Sequence, residues 1–157
     1  LVEIGVRKPA GFSTFFCLVF CLLFTASCKE AEKKVAEPDR ISVQHILIAF
    51  SGTIDKPEIK RSREEAAALV EKIQAEIQQG ADFDSLVRRY TDDQYPGIYK
   101  MSNFNVEPDA DEYPRSKMVK GFGDTAFKLA PDETAVCEYE PTLRYSPYGW
   151  HIIKRLQ

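Results

Sequence analysis

Histidine is nearly absent from this chain, with two in 157 residues. Cysteine is scarce too: Cys17, Cys21 and Cys28 fall in an N-terminal segment treated below, which leaves only Cys137 for the rest. That excludes a disulfide framework in the remainder of the chain. Two histidines and one leftover thiol also lack the local ligand spacing of a zinc site. Cys137, in the stretch TAVCEYE, reads as a small packed residue rather than a nucleophile. An excess of one charge is missing as well. A net charge of −3 and a pI near 5.5 give no electrostatic case for nucleic acid. Internal repeats and low-complexity tracts are not visible. The uncharged apolar run at 12–24 is too short to cross a bilayer, which takes ~20 residues as a helix.

Arg7 and Lys8 precede that run, and together they read as a secretory signal. It leads into Thr25-Ala26-Ser27-Cys28, which resembles the lipobox of bacterial lipoproteins, where the cysteine is diacylated and becomes the new N-terminus. Leucine usually stands where Thr25 does, so cleavage by an ordinary signal peptidase is the competing reading. Residues 29–40, KEAEKKVAEPDR, carry four basic and four acidic residues around one valine and cannot bury enough apolar surface to fold alone. The expectation is a signal segment at 1–28, a flexible tether at 29–40 reaching roughly 20 Å, and a folded domain at 41–157. The domain would then be lipid-anchored on the periplasmic or cell-surface face of a bacterial membrane.

The domain opens with ISVQHILIAF, whose β-branched and large apolar residues predict a buried strand. Period two puts Ile41, Val43, His45, Leu47 and Ala49 on one face. A polar loop follows, with Lys56, Lys60 and Arg61. Ser62 and Glu65 form a capping box for a helix with an Ala66, Leu69, Val70, Ile73, Ile77 stripe and a stop at Gly80. Asp82 caps a shorter helix bearing Phe83, Leu86, Val87 and Tyr90. GIYKMSNF allows a short strand, and NVEPDADEYPR reads as an acidic, proline-bearing loop. Within it, Asp109 and Asp111 have calcium-loop spacing without the glycine or the next ligand. A third helix is predicted over 117–129, with Met118, Phe122, Ala126 and Leu129 on one face and Gly121 and Gly123 weakening it. ETAVCEY and GWHIIKRL predict two closing strands. This order argues for an α+β domain built on an antiparallel sheet.

Taken together, VQHILI, the capped helix, GADFDSLVRRYTDD, MVKGFGDTAFKL and YGWHIIK resemble the parvulin-type peptidyl-prolyl isomerases, in the family order and over nearly all of 41–157. The resemblance implies a four-stranded antiparallel sheet wrapped by helices, with the first and last strands adjacent in the middle (an FKBP-like arrangement). It implies that His45 and His151 sit side by side beneath a peptide groove, with Asp93 facing the prolyl bond. Met118 and Phe122 would receive the proline ring, with Tyr99 as a third pocket residue and Ser146 hydrogen-bonded to the histidine pair. The implied ligands are proline-containing peptides and unfolded client chains. No cofactor or metal is expected, no phosphate requirement, and a monomer. A catalytically weak peptide-binding holdase is the alternative. Without the resemblance, both histidines would read as satisfied core residues, Met118 and Phe122 as core, and Asp93 as a turn residue.

Overall fold

The computed structural model describes residues 36–142 and 145–157. The expected signal segment, the lipidation of Cys28 and most of the tether lie outside the described residues. Strand β1 (Arg40–Ile48) is the spine of the domain. It pairs antiparallel with β2 (Ile98–Ser102) on one side and with β5 (Trp150–Arg155) on the other. Strand β4 (Thr134–Cys137) pairs antiparallel with β5, and β3 (Tyr113–Pro114) adds two residues parallel to β2, in the order β3-β2-β1-β5-β4. The α+β expectation and the central first and last strands therefore hold. The sheet itself differs in one respect: the four longer strands are antiparallel, and a fifth, parallel pairing at the edge comes from the acidic loop that the sequence leaves without pattern.

Each face of the sheet has its own cover. Ile46, Ile48, Trp150 and Ile152 point toward helices α1 (Arg63–Gln78) and α2 (Phe83–Tyr90), where Ala66, Val70, Ile73, Leu86 and Val87 meet them. Ile41, Val43, Met101 and Ile153 point the other way, against Phe122, Ala126, Phe127 and Leu129. The predicted capping box is formed, with Ser62 Oγ accepting from the Glu65 amide and the Glu65 carboxylate accepting from the Ser62 amide. Asp82 caps α2 by accepting from the Ser85 amide at 2.9 Å.

The third helix is shorter than predicted. A single 3-10 turn (Arg115–Lys117) ends in an extended Met118, and α3 runs only from Lys120 to Ala126. Its glycines are packing residues. A Cβ on Gly121 would come within 2.8 Å of both the Tyr145 carbonyl and Cys137 Sγ, so glycine lets the helix approach the β4–β5 connection this closely. Gly123 makes room for the Arg115 side chain in the same way.

The folded unit starts before Ile41. The Asn103 amide donates to the Asp39 carbonyl at 2.8 Å and its side chain to the Pro38 carbonyl at 2.9 Å. Arg40 pairs with Glu112, and Arg115 donates to Glu37 Oε2 at 2.5 Å. Arg115 is itself buried, at 6% exposure. It also donates to Asp124 at 2.8 Å and to Asn103 at 2.9 Å, and its guanidinium carbon lies 4.7 Å from the ring centres of Phe104 and Phe127. This bond holds the Glu37 carboxyl below its ordinary range, against a weaker opposing push from burial.

A buried cation that neutralises two carboxylates costs more to remove than either of its partners. Arg115→Ala should therefore destabilise the domain by about 3 kcal/mol. Glu37→Gln, on the more exposed side, should cost under about 1 kcal/mol. Equal denaturation midpoints for the two variants would show that the cluster is not anchored on the arginine.

Candidate active site

The β1–β5 register sets Leu47 opposite His151 and His45 opposite Ile153. The two histidines are therefore diagonal neighbours on one sheet face, within reach of each other's side chains. Their rings lie 5.4 Å apart at an angle of 21°, and Nδ1 of His151 is 3.3 Å from Nδ1 of His45. Phe122 stands edge-on to both, at 5.2 and 5.3 Å. Both imidazoles are buried.

Asp93 reaches this pair from the segment after α2, which is stapled to β1 residue by residue. The Asp92 amide donates to the Leu47 carbonyl at 2.8 Å, the Leu47 amide to Thr91 Oγ1 at 3.2 Å, and the Ala49 amide to Asp92 Oδ2 at 2.8 Å. Arg61 clamps the Asp92 carboxylate with two bonds of 2.6 and 3.1 Å. With Asp92 so engaged, the next residue turns toward the histidines. Asp93 Oδ2 lies 3.1 Å from His45 Nε2 and accepts from the Tyr99 hydroxyl at 3.0 Å.

Each ionisable group follows from these contacts. The hydrogen bond from His45, opposed by burial and assisted by the Gln94 amide and Tyr99, holds the Asp93 carboxyl well below the usual carboxylate range. Burial first, and then the Asp93 charge, push Tyr99 up to about 12. Burial, joined by the neighbouring His45, lowers His151 to about 3. With His151 neutral and Asp93 ionised, His45 Nε2–H donates to Asp93, and the two Nδ1 atoms share one hydrogen between the rings. His151 Nε2 is buried without a partner among the described residues.

Above this pair opens a cavity of about 360 Å3. His45, His151, Asp93, Tyr99, Met118 and Phe122 all line it, so the structure brings six of the predicted site residues together. Ser146 is the correction. Its hydroxyl donates to the Gly149 carbonyl at 2.8 Å, closing the turn before β5, and it bonds to neither imidazole. The physical reason is that Gly149 presses on β1, where a Cβ would meet the Ile48 carbonyl at 2.2 Å, and the turn that permits this takes the serine. Sequence reasoning missed Ile54, Lys56, Asp92 and Tyr148 on the cavity rim. The doublet Asp92-Asp93 was the available signal for one of these. The loop residues, without periodicity, offered none.

The model of the PPIC-type PPIase domain family matches residues 27–157 of this chain. The chain belongs to the parvulin family. Foldase protein PrsA 1 of Bacillus cereus is 36% identical over 103 residues, which cover 63% of this chain and 31% of that protein. Chaperone SurA of Pseudomonas fluorescens is 29% identical over 118 residues, 75% of this chain and 23% of that protein. This parvulin chain thus spans a third or less of the length of either relative. The solution structure of TbPIN1 superposes with a TM-score of 0.57 at 20% identity, covering 76% of this chain and 99% of that one, which establishes the fold alone.

The buried His151 makes the parvulin domain sensitive to acid. Its folded-state pKa, about 3, lies below the ordinary 6.5, so stability is complete above pH 6.5. It declines as the pH falls, because the unfolded chain takes up a proton that the folded one excludes. Asp93 contributes only lower down, since its depressed carboxyl loses stability below the ordinary 3.8. Between pH 7 and pH 5 the denaturation free energy should drop by on the order of 2 kcal/mol through His151. His151→Phe should flatten that drop in urea titrations, and an unchanged slope would refute the assignment.

Proposed function

We propose that the domain catalyses cis-trans isomerisation of X-Pro bonds in extended or unfolded client chains outside the cytoplasm, held at a membrane by lipid on Cys28. One observation carries the reading: two histidines 3.3 Å apart underlie an apolar-walled cavity that also holds a carboxylate. The family membership and the foldase and chaperone names of two relatives support it.

The chemistry asks for little. Rotation about the prolyl bond breaks no covalent bond, and its barrier of ~20 kcal/mol comes from amide resonance. A thousandfold acceleration requires only ~4 kcal/mol. An apolar seat that strips water from the amide disfavours its charge-separated resonance form, and one oriented polar group adds to this. In this reading Met118 and Phe122 seat the ring, and Tyr99 closes the wall. His45 and His151 fix each other's protons and hold Asp93 ionised beside the reacting amide. No metal or nucleophile takes part.

A phosphate requirement is unsupported by the rim. Arg61 is committed to Asp92, and the Lys56 ammonium donates to the Asp92 carbonyl at 2.5 Å. Asp55 and Asp93 line the same cavity, so a phosphate would meet carboxylates there.

A proline-containing tetrapeptide assay on the full chain tests the proposal. Asp93→Ala should lower kcat/KM by about a hundredfold. Met118→Ala should raise KM by about tenfold while leaving the fold intact, because the lost apolar contact is with substrate. Peptide binding without any acceleration would turn the reading toward a holdase. Palmitate labelling that persists in Cys28→Ala would remove the anchor.

A further inference from the structure

Adjoining the Tyr99 ring lies a second, smaller hollow of about 250 Å3, bounded by Gln94, Tyr95, Ile98, Tyr99 and Tyr113. Tyr99 is a wall of both hollows. Six large apolar side chains are exposed among the described residues, and Tyr95, Ile98 and Tyr113, at 44%, 46% and 52%, stand around this one. A cluster of this kind left in water is a common mark of a binding surface.

The cluster is also held in place. Arg88 lies 4.1 Å over the Tyr95 ring and donates to its hydroxyl, which in turn donates to Asp84. Tyr113 packs 5.5 Å from Tyr99. Gly97 has a φ of +65°, and a Cβ there would sit 2.7 Å from the His45 carbonyl, so the floor of the hollow is pressed directly onto β1. Rigid aromatic rings of this sort lose little entropy on binding. The adjoining charges are spoken for. Arg88 lies 3.7 Å from Asp84, and Lys100 lies 2.6 Å from Asp111.

We propose that this shelf is a second subsite for the client chain, taking an apolar or aromatic side chain two residues away from the isomerised proline. The inference rests on the isomerase reading above. Residues two apart in an extended chain face the same way, ~7 Å apart. The ring centres of Tyr99 and Tyr113 are 5.5 Å apart, so a chain with its proline against Tyr99 reaches the shelf with the side chain after next. With its neighbouring charges paired, the exposed faces of Tyr95, Ile98 and Tyr113 on the rim are what a client side chain meets. The substrate class that follows is the proline-bearing apolar segment of an unfolded protein, rather than a polar linker.

The test compares three peptides on the full chain: Ser-Ser-Ala-Pro-Ala-Ser, Ser-Leu-Ala-Pro-Ala-Ser and Ser-Ser-Ala-Pro-Ala-Leu. A leucine on one side of the proline should lower KM about tenfold relative to the serine peptide. In Ile98→Ser/Tyr113→Ser that advantage should vanish, while turnover of the serine peptide stays as in the parent. Equal KM values for all three peptides, or a leucine advantage that survives in the double variant, would overturn the proposal. If no peptide is isomerised, the isomerase reading fails by itself. The same peptides carrying fluorescein then report the shelf by anisotropy, with the same preference expected and the same results overturning it.

Discussion

The antiparallel register between β1 and β5 is the constraint on which the site depends. It joins residues 106 positions apart and puts their rings on the same face of the sheet, with Leu47 opposite His151 and His45 opposite Ile153. A slip of one residue would turn one imidazole toward α1 and α2 and leave the other alone above the cavity floor. The hydrophobic pattern prevents that slip. Ile46, Ile48, Trp150 and Ile152 are all buried on the helix side, and moving either strand by one residue would press His45 or His151, with smaller or differently shaped neighbours, against α1 and α2. The packing of one face thus determines the chemistry of the other.

Much of this arrangement was legible in the amino-acid sequence, for reasons that differ by element. Strand β1 with its β-branched and apolar run, α1 with its capping box and α2 with its aspartate cap carry local signals that tertiary contacts do not override. The short span of α3 was not legible, because Met118 is helical by spacing and extended in fact. Arg115 lies in a stretch without periodicity, and its role exists only because Glu37, Asn103 and Asp124 converge on it from three other segments. For the same reason residues 37–40 read as tether by composition while they are bound in the structure. Ser146 fell to a turn whose geometry is dictated by Gly149 against β1.

The two neighbouring aspartates show how one chemical group is given two roles. Asp92 is satisfied on both oxygens by Arg61 and on one by the Ala49 amide, so its charge is spent on structure. Asp93 has one oxygen taken by His45 and Tyr99 and remains at the cavity wall with its charge retained. The arginine in the loop after β1 therefore helps to place Asp93 by holding Asp92, although it is not among the residues lining the cavity.

Under the proposed function, the histidine pair serves as scaffolding for that carboxylate rather than as an acid or base. His151 is held neutral by burial, so it cannot exchange a proton near neutral pH. What it can do is hold the His45 ring through the 3.3 Å contact between their Nδ1 atoms, which keeps His45 Nε2–H aimed at Asp93. Prolyl rotation needs no proton transferred, only an amide kept dry and a polar environment that does not reorganise as it twists. Two stacked, buried imidazoles supply that fixity at the cost of stability in acid. A domain that works by holding groups still can tolerate that cost where a proton-transfer enzyme, whose groups must titrate, could not.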